Sequence, residues 1–177
     1  GMLVDQVIEG MRRRKALNSF LCDPAGPPPR RVAPVAAATT GLLAATAQHR
    51  PHPNAASVEA VVSWINRESN AGSVWTLHGL LRDAATADHP PDLAGLAAVV
   101  ERHRSVDACG QLFDLLLTVA RDGHGTSVAL SERMRAELAT IGEGLGVPTV
   151  RRTELLHPSL LLDATACDVL GVPRDAS

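Results

Sequence analysis

Residues 105–122, SVDACGQLFDLLLTVARD, decide the fold class. Between Ala108 and Ala120 the strongly polar residues are Gln111, Asp114 and Thr118, spaced by three and then four, so on a helix they form one narrow stripe. The rest of the circumference is apolar, and a helix apolar over most of its surface has to be surrounded by other helices. The segment is therefore expected to be the central post of an all-α domain. Ser105 suits its N-cap, Asp107 falls in the first turn where the helix dipole favours a carboxylate, and Gly123 suits the position just past its end.

Working outward, Leu93, Leu96, Val100 and His103 are in helical register ahead of this post, and Val58, Val61, Val62 and Ile65 form an earlier apolar face. The helix that follows this face buries Val74, Leu77, Leu81 and Ala84. These segments read as two helical hairpins related by an offset of about 35 residues, the length of a two-helix repeat. Arg67 then falls on Arg102, Leu77 on Leu112, Leu81 on Leu116 and His89 on His124. Downstream, Thr126 or Ser127 is expected to cap a helix carrying Leu130, Met134, Leu138, Ile141 and Leu145. Gly142, Gly144 and Gly146 should fray its end, residues 147–152 read as an extended connector, and a last helix starts near Pro158.

At the N-terminal end, Leu3, Val4, Val7, Ile8 and Met11 share one helical face that Leu17, Phe20 and Leu21 continue. Five prolines within residues 24–34 then forbid a helix and favour a stiff, extended connector, after which Pro34 starts an Ala-rich helix. The expected architecture is all-α with about eight helices. It is either an irregular helical bundle or a short stack of helical hairpins, with an N-terminal helical arm. Residues 1–33 form the amphipathic helix and Pro-rich connector, and residues 34–177 a single all-α domain.

Composition agrees with this class. In 177 residues, 45% are apolar and 20% charged, with no Tyr, two Phe and two Trp, which favours helix over a β-sandwich or barrel. A net charge of −2 gives no general attraction to nucleic acid or to an anionic membrane. No run reaches the length of apolar residues that a membrane span needs. Cys22, Cys109 and Cys167 are odd in number, two of them on apolar helical segments, and read as buried reduced thiols, which points to the cytoplasm. No cofactor or metal site is implied, because no metal-type Cys or His spacing, P-loop, dinucleotide fingerprint or nucleophile elbow occurs.

Chemistry-bearing candidates are few. Trp75, His78 and Arg82 recur at three and four on a second face of their helix and offer an aromatic wall, a titratable group and a fixed cation to a small acidic ligand. His89 and His124 stand just beyond the second arms of the two hairpins, beside Asp88 and Asp122. Asp114 is the one carboxylate on an otherwise apolar face, placed to pair with an arginine or line a pocket. Trp64 reads as core, and residues 12–15, RRRK, as a solvated cationic face.

The sequence thus leads to the expectation of a non-catalytic interaction or regulatory module, homodimeric through its N-terminal helix. The alternative is a small-molecule-binding domain or enzyme with a cleft between helical hairpins. Nucleic-acid contact through residues 12–15 ranks third, for want of aromatic partners or a recognisable binding motif.

Overall fold

The computed structural model of the chain describes residues 1–47, 55–68, 77–121 and 130–156. Among them run eight helices and no strand: α1 (Met2–Cys22), α2 (Pro34–Ala47), α3 (Ala55–Glu68), α4 (Leu77–Ala85), α5 (Leu93–His103), α6 (Val106–Ala120), α7 (Glu132–Gly144) and α8 (Thr149–Leu156). The fold is all-α. Its helices gather around α2: α4, α5 and α6 pack on it directly, while α3 packs on α6 and α2, and α7 on α5.

Helix α2 can hold the centre because it carries no charge to desolvate, and the Thr39 hydroxyl is its one buried side-chain group without a hydrogen-bond partner. Every residue from 35 to 46 is buried, and the segment carries no charged side chain. Its polar side chains are threonines, and Thr40 and Thr46 donate their hydroxyls to carbonyls of their own helix, Thr40 to Ala36 at 2.7 Å and Thr46 to Leu43 at 2.9 Å. The start is set by Pro34, whose missing N–H lies in the first turn where it has no intrahelical acceptor. The sequence pattern had pointed to α6 as the central post. In the structure α6 is buried through Cys109, Leu112, Phe113, Leu116 and Val119 but keeps an outer face, with Gln111, Thr118 and Val106 exposed. Gln111 and Asp114 need water or a partner, whereas Thr40 and Thr46 bond within the backbone of α2 and a single small hydroxyl, that of Thr39, is buried without one. That difference puts α2 inside.

The first helix is held by its C-terminal end. Leu17, Phe20 and Leu21 are buried in the same core as α2, α5 and Trp64. The Leu21 carbonyl accepts the Asp92 N–H at 2.8 Å, and the Asp92 carboxylate in turn accepts from Gly95 N–H at 3.0 Å as the N-cap of α5. One residue thereby ties the end of α1 to the start of α5.

Several local expectations change for physical reasons. Ser131, not Thr126 or Ser127, caps α7, accepting from the Met134 N–H at 3.1 Å; residues 122–129 lie outside the described residues, as does the last helix expected from Pro158. The glycines near the end of α7 pack rather than fray. A Cβ on Gly144 would stand 2.6 Å from the Ala97 Cβ, so the absence of a side chain lets α7 approach α5. Gly146, at φ 77°, closes the helix: its N–H bonds to the Glu143 carbonyl and the Val147 N–H to the Gly142 carbonyl, the paired bonds of a Schellman end. Residues 149–152 are helical, not extended, because the Pro148 carbonyl receives the Arg152 N–H at 2.9 Å and starts α8.

The central place of α2 predicts an unequal response to truncation. Leu42→Ala should lower the unfolding free energy by about 2–5 kcal/mol, while Gln111→Ala on the outer face of α6 should stay within about 0.5 kcal/mol, as measured by urea denaturation.

Candidate functional site

Helix α1 presents two apolar faces with different fates. The C-terminal one is buried, as above. The other consists of Met2, Leu3, Val4, Val7, Ile8 and Met11, whose exposure runs from 41% at Ile8 to 82% at Met2. Residues 3, 4, 7, 8 and 11 fall on one side of a helix of 3.6 residues per turn, so these side chains form a contiguous apolar strip about three turns long. The helix is fixed below this strip. Arg14 Nε lies 3.7 Å from Oδ1 of the buried Asp83 on α4, and Arg82 Nε lies 3.5 Å from the same oxygen. One of the four cations at 12–15 is thereby committed to a bridge within the fold.

Beyond Met11 the strip runs into a groove of about 530 Å³ bounded by Arg14, Lys15, Asn18 and Cys22 of α1 and by Asp88 and His89 of the turn between α4 and α5. Asp88 and His89 also line the mouth of a second depression, about 440 Å³, whose floor is made by Leu21, Gly41, Ala44 and Ala84. Small residues on α2 and α4 leave this space open, and Arg133 with Glu137, one turn apart on α7 at 3.5 Å, stand at its edge. A cation and an imidazole over an apolar floor can receive a small acidic molecule, although Arg133 is already opposite a carboxylate.

The residues singled out from sequence do not converge. His78 and Arg82 lie exposed on α4. Trp75 and His124 lie outside the described residues, so the proposed aromatic wall and the second rim histidine are not placed. His89 is exposed between the two depressions. Asp114 is elsewhere, in a third depression of about 420 Å³ that shares no lining residue with the others, where Arg151 of α8 holds it at 2.8 Å. This is the arginine pairing expected as one of two roles for Asp114, and at half exposure it contributes about 0–1 kcal/mol. Trp64 is fully buried in the core, and His103 Nδ1 sits 2.8 Å from the Val99 carbonyl of its own helix.

Sequence reading missed the partners, not the residue types. Arg151 is 37 positions from Asp114, and Arg14 is far from Asp83 in sequence, so no periodicity links them. Arg133 and Glu137 could have been found as an i, i+4 pair. Arg152 donates to the carbonyls of Val147 and Ala139 and to the Thr149 hydroxyl, fastening α8 to α7. Arg121, buried at the end of α6, has its guanidinium pKa pushed down by desolvation. Among the described residues no group of three or more His, Cys, Asp or Glu is placed to hold a metal ion, and no helix is long and apolar enough to cross a membrane.

Comparison with protein-family models, with characterised proteins and with solved structures gives no match for this chain.

The two described thiols differ in a way that reports on α1 and the core separately. Cys22, expected to be buried, is exposed at the groove because it ends α1 past the buried Leu21, whereas Cys109 is buried in α6 as expected; burial pushes its pKa up first, and the nearby Glu101 carboxylate adds to this against a smaller opposing effect of Arg104. In a Cys167→Ser background at pH 7.5, a maleimide should modify one thiol quickly, and Cys22→Ser should abolish that reaction; the second thiol should react only with unfolding.

Proposed function

We propose that the protein is a non-catalytic helical interaction module that works as a homodimer through the outer face of α1. The observation that carries this reading is the strip of Leu3, Val4, Val7, Ile8 and Met11, exposed in one copy while the other end of the same helix is locked into the core. A contiguous apolar strip held in place by a rigid anchor is the form a docking surface takes, because the helix need not fold on binding and so loses little conformational entropy. Fully burying such a side chain contributes about 1.5–3 kcal/mol, so five of them on each copy are a substantial driving force for association.

The polar groups support a binding role over a catalytic one. His78 and Arg82 point to solvent on α4, Asp114 is held by Arg151 in a different depression, and His89 stands apart from both. Among the described residues these candidate groups are therefore spread over three regions. The free thiols of Cys22 and Cys109 support placement in the cytoplasm.

The test uses substitutions rather than removal of the arm. Deleting residues 1–30 would take Leu17, Phe20 and Leu21 out of the core together with the strip. Val7→Asp with Ile8→Asp changes only exposed positions. Native mass spectrometry and sedimentation velocity should show a dimer for the parent chain and a monomer for the double variant, with the dissociation constant raised at least about 100-fold and the far-UV circular dichroism unchanged. A dimer of equal strength in the variant would remove α1 from this role.

A further inference from the structure

In a homodimer built on α1, the two first helices can run in the same or in opposite directions, and the charges along α1 distinguish the two. Asp5 and Glu9 occupy the N-terminal half of the exposed stretch, and the four cations Arg12, Arg13, Arg14 and Lys15 follow at its C-terminal end. The helix is polarised from acid to base along its axis. Asp5 and Arg12 are seven residues apart and so lie on one line, on the flank of the strip beside Ile8. Gln6, Gly10 and Arg13 lie towards the opposite flank.

A parallel pair sets like against like. The acidic halves lie together, Arg12 and Lys15 of one copy lie beside those of the other, and the helix dipoles add. Because opposite flanks meet in a parallel pair, Asp5 would face Gln6 and Gly10 and find no cation. In an antiparallel pair the same flanks meet, acid lies over base, and the dipoles oppose.

We infer that the outer face of α1 is covered by a second copy of α1 running antiparallel, with Val4 against the partner's Met11 and Val7 against the partner's Ile8. This rests on the reading of α1 as a homodimer surface. The register seats the apolar strip on itself and brings Asp5 to within about 3 Å along the axis of the partner's Arg12, a displacement that an arginine side chain spans. It also delivers the partner's Met2 and Leu3 to the mouth of the groove that begins at Met11 and continues between Lys15, Asn18 and His89. An anionic membrane fits the strip less well, since it would draw in residues 12–15 while repelling Asp5 and Glu9 on the same three turns.

Cysteine cross-linking of the full chain, with Cys22 and Cys167 replaced by Ser, tests the orientation. In the antiparallel register, Val4 and Met11 of different copies face each other, whereas two copies of Val4 lie about 10 Å apart along the axis, beyond disulfide reach. Mixing Val4→Cys with Met11→Cys under mild oxidation should therefore give at least about tenfold more linked dimer than either variant oxidised alone. Linking of Val4→Cys to itself and of Met11→Cys to itself would show a parallel pair and overturn the inference while leaving the homodimer reading intact. A dimer in sedimentation that links in none of these combinations would overturn both the register and the face. A monomer at all concentrations that pellets with phosphatidylserine vesicles would overturn the homodimer reading itself.

Discussion

The enclosure of α2 is the constraint from which the rest of the structure follows. A helix buried from residue 35 to residue 46 has no outer side, so its neighbours must close around the whole circumference, and α1, α3, α4, α5, α6 and α7 all touch it. What makes enclosure possible is a segment of Ala, Val, Leu, Gly and Thr with no charge to desolvate. Small residues also decide how close the neighbours come. At Gly41 an added Cβ would meet the Leu21 side chain at 2.5 Å and that of Leu96 at 3.0 Å, so α1 and α5 both lean into the space a side chain would fill.

This demand explains why α1 has two characters. Its last turns supply Leu17, Phe20 and Leu21 to close one side of α2, and the bond from Asp92 to Leu21 together with the bridge from Arg14 to Asp83 fixes its direction. Once the direction is fixed, the first turns of α1 stand clear of the core, with residues 1–9 all exposed and the apolar strip among them. The core thus uses the end of α1 and leaves its beginning uncovered within one copy. The same closure leaves the grooves beside His89, because Ala44 and Ala84 are too small to fill the gap between α1, α2 and α4.

Much of the fold was legible in the sequence where the signal is local. The all-α class followed from periodicity, and Ser105 caps α6 through the Ala108 N–H at 3.1 Å, as its position suggests. What was not legible depends on comparison between helices. Hydrophobic periodicity favours α6 as the centre because most of its circumference is apolar, whereas α2 is the helix with no charge to bury, its Thr40 and Thr46 hydroxyls bonding to their own backbone and only that of Thr39 left without a partner. The helical nature of residues 149–156 was hidden because Pro148 looks like a breaker yet serves as the acceptor that begins α8. Among site candidates, spacing alone placed His78 and Arg82 on one face but gave no indication that the face looks outward. Asp114 was correctly singled out as unusual, while its partner Arg151 lies on a helix that the sequence reading had taken for a connector.

A second copy covering the outer strip of α1 and the enclosure of α2 within each copy are separated directly by amide hydrogen exchange measured at low and at high protein concentration. Protection of residues 36–46 should be high and the same at both concentrations, and protection of residues 2–11 should rise with concentration. Exchange of residues 2–11 at the same rate across the whole concentration range would contradict coverage by a second copy.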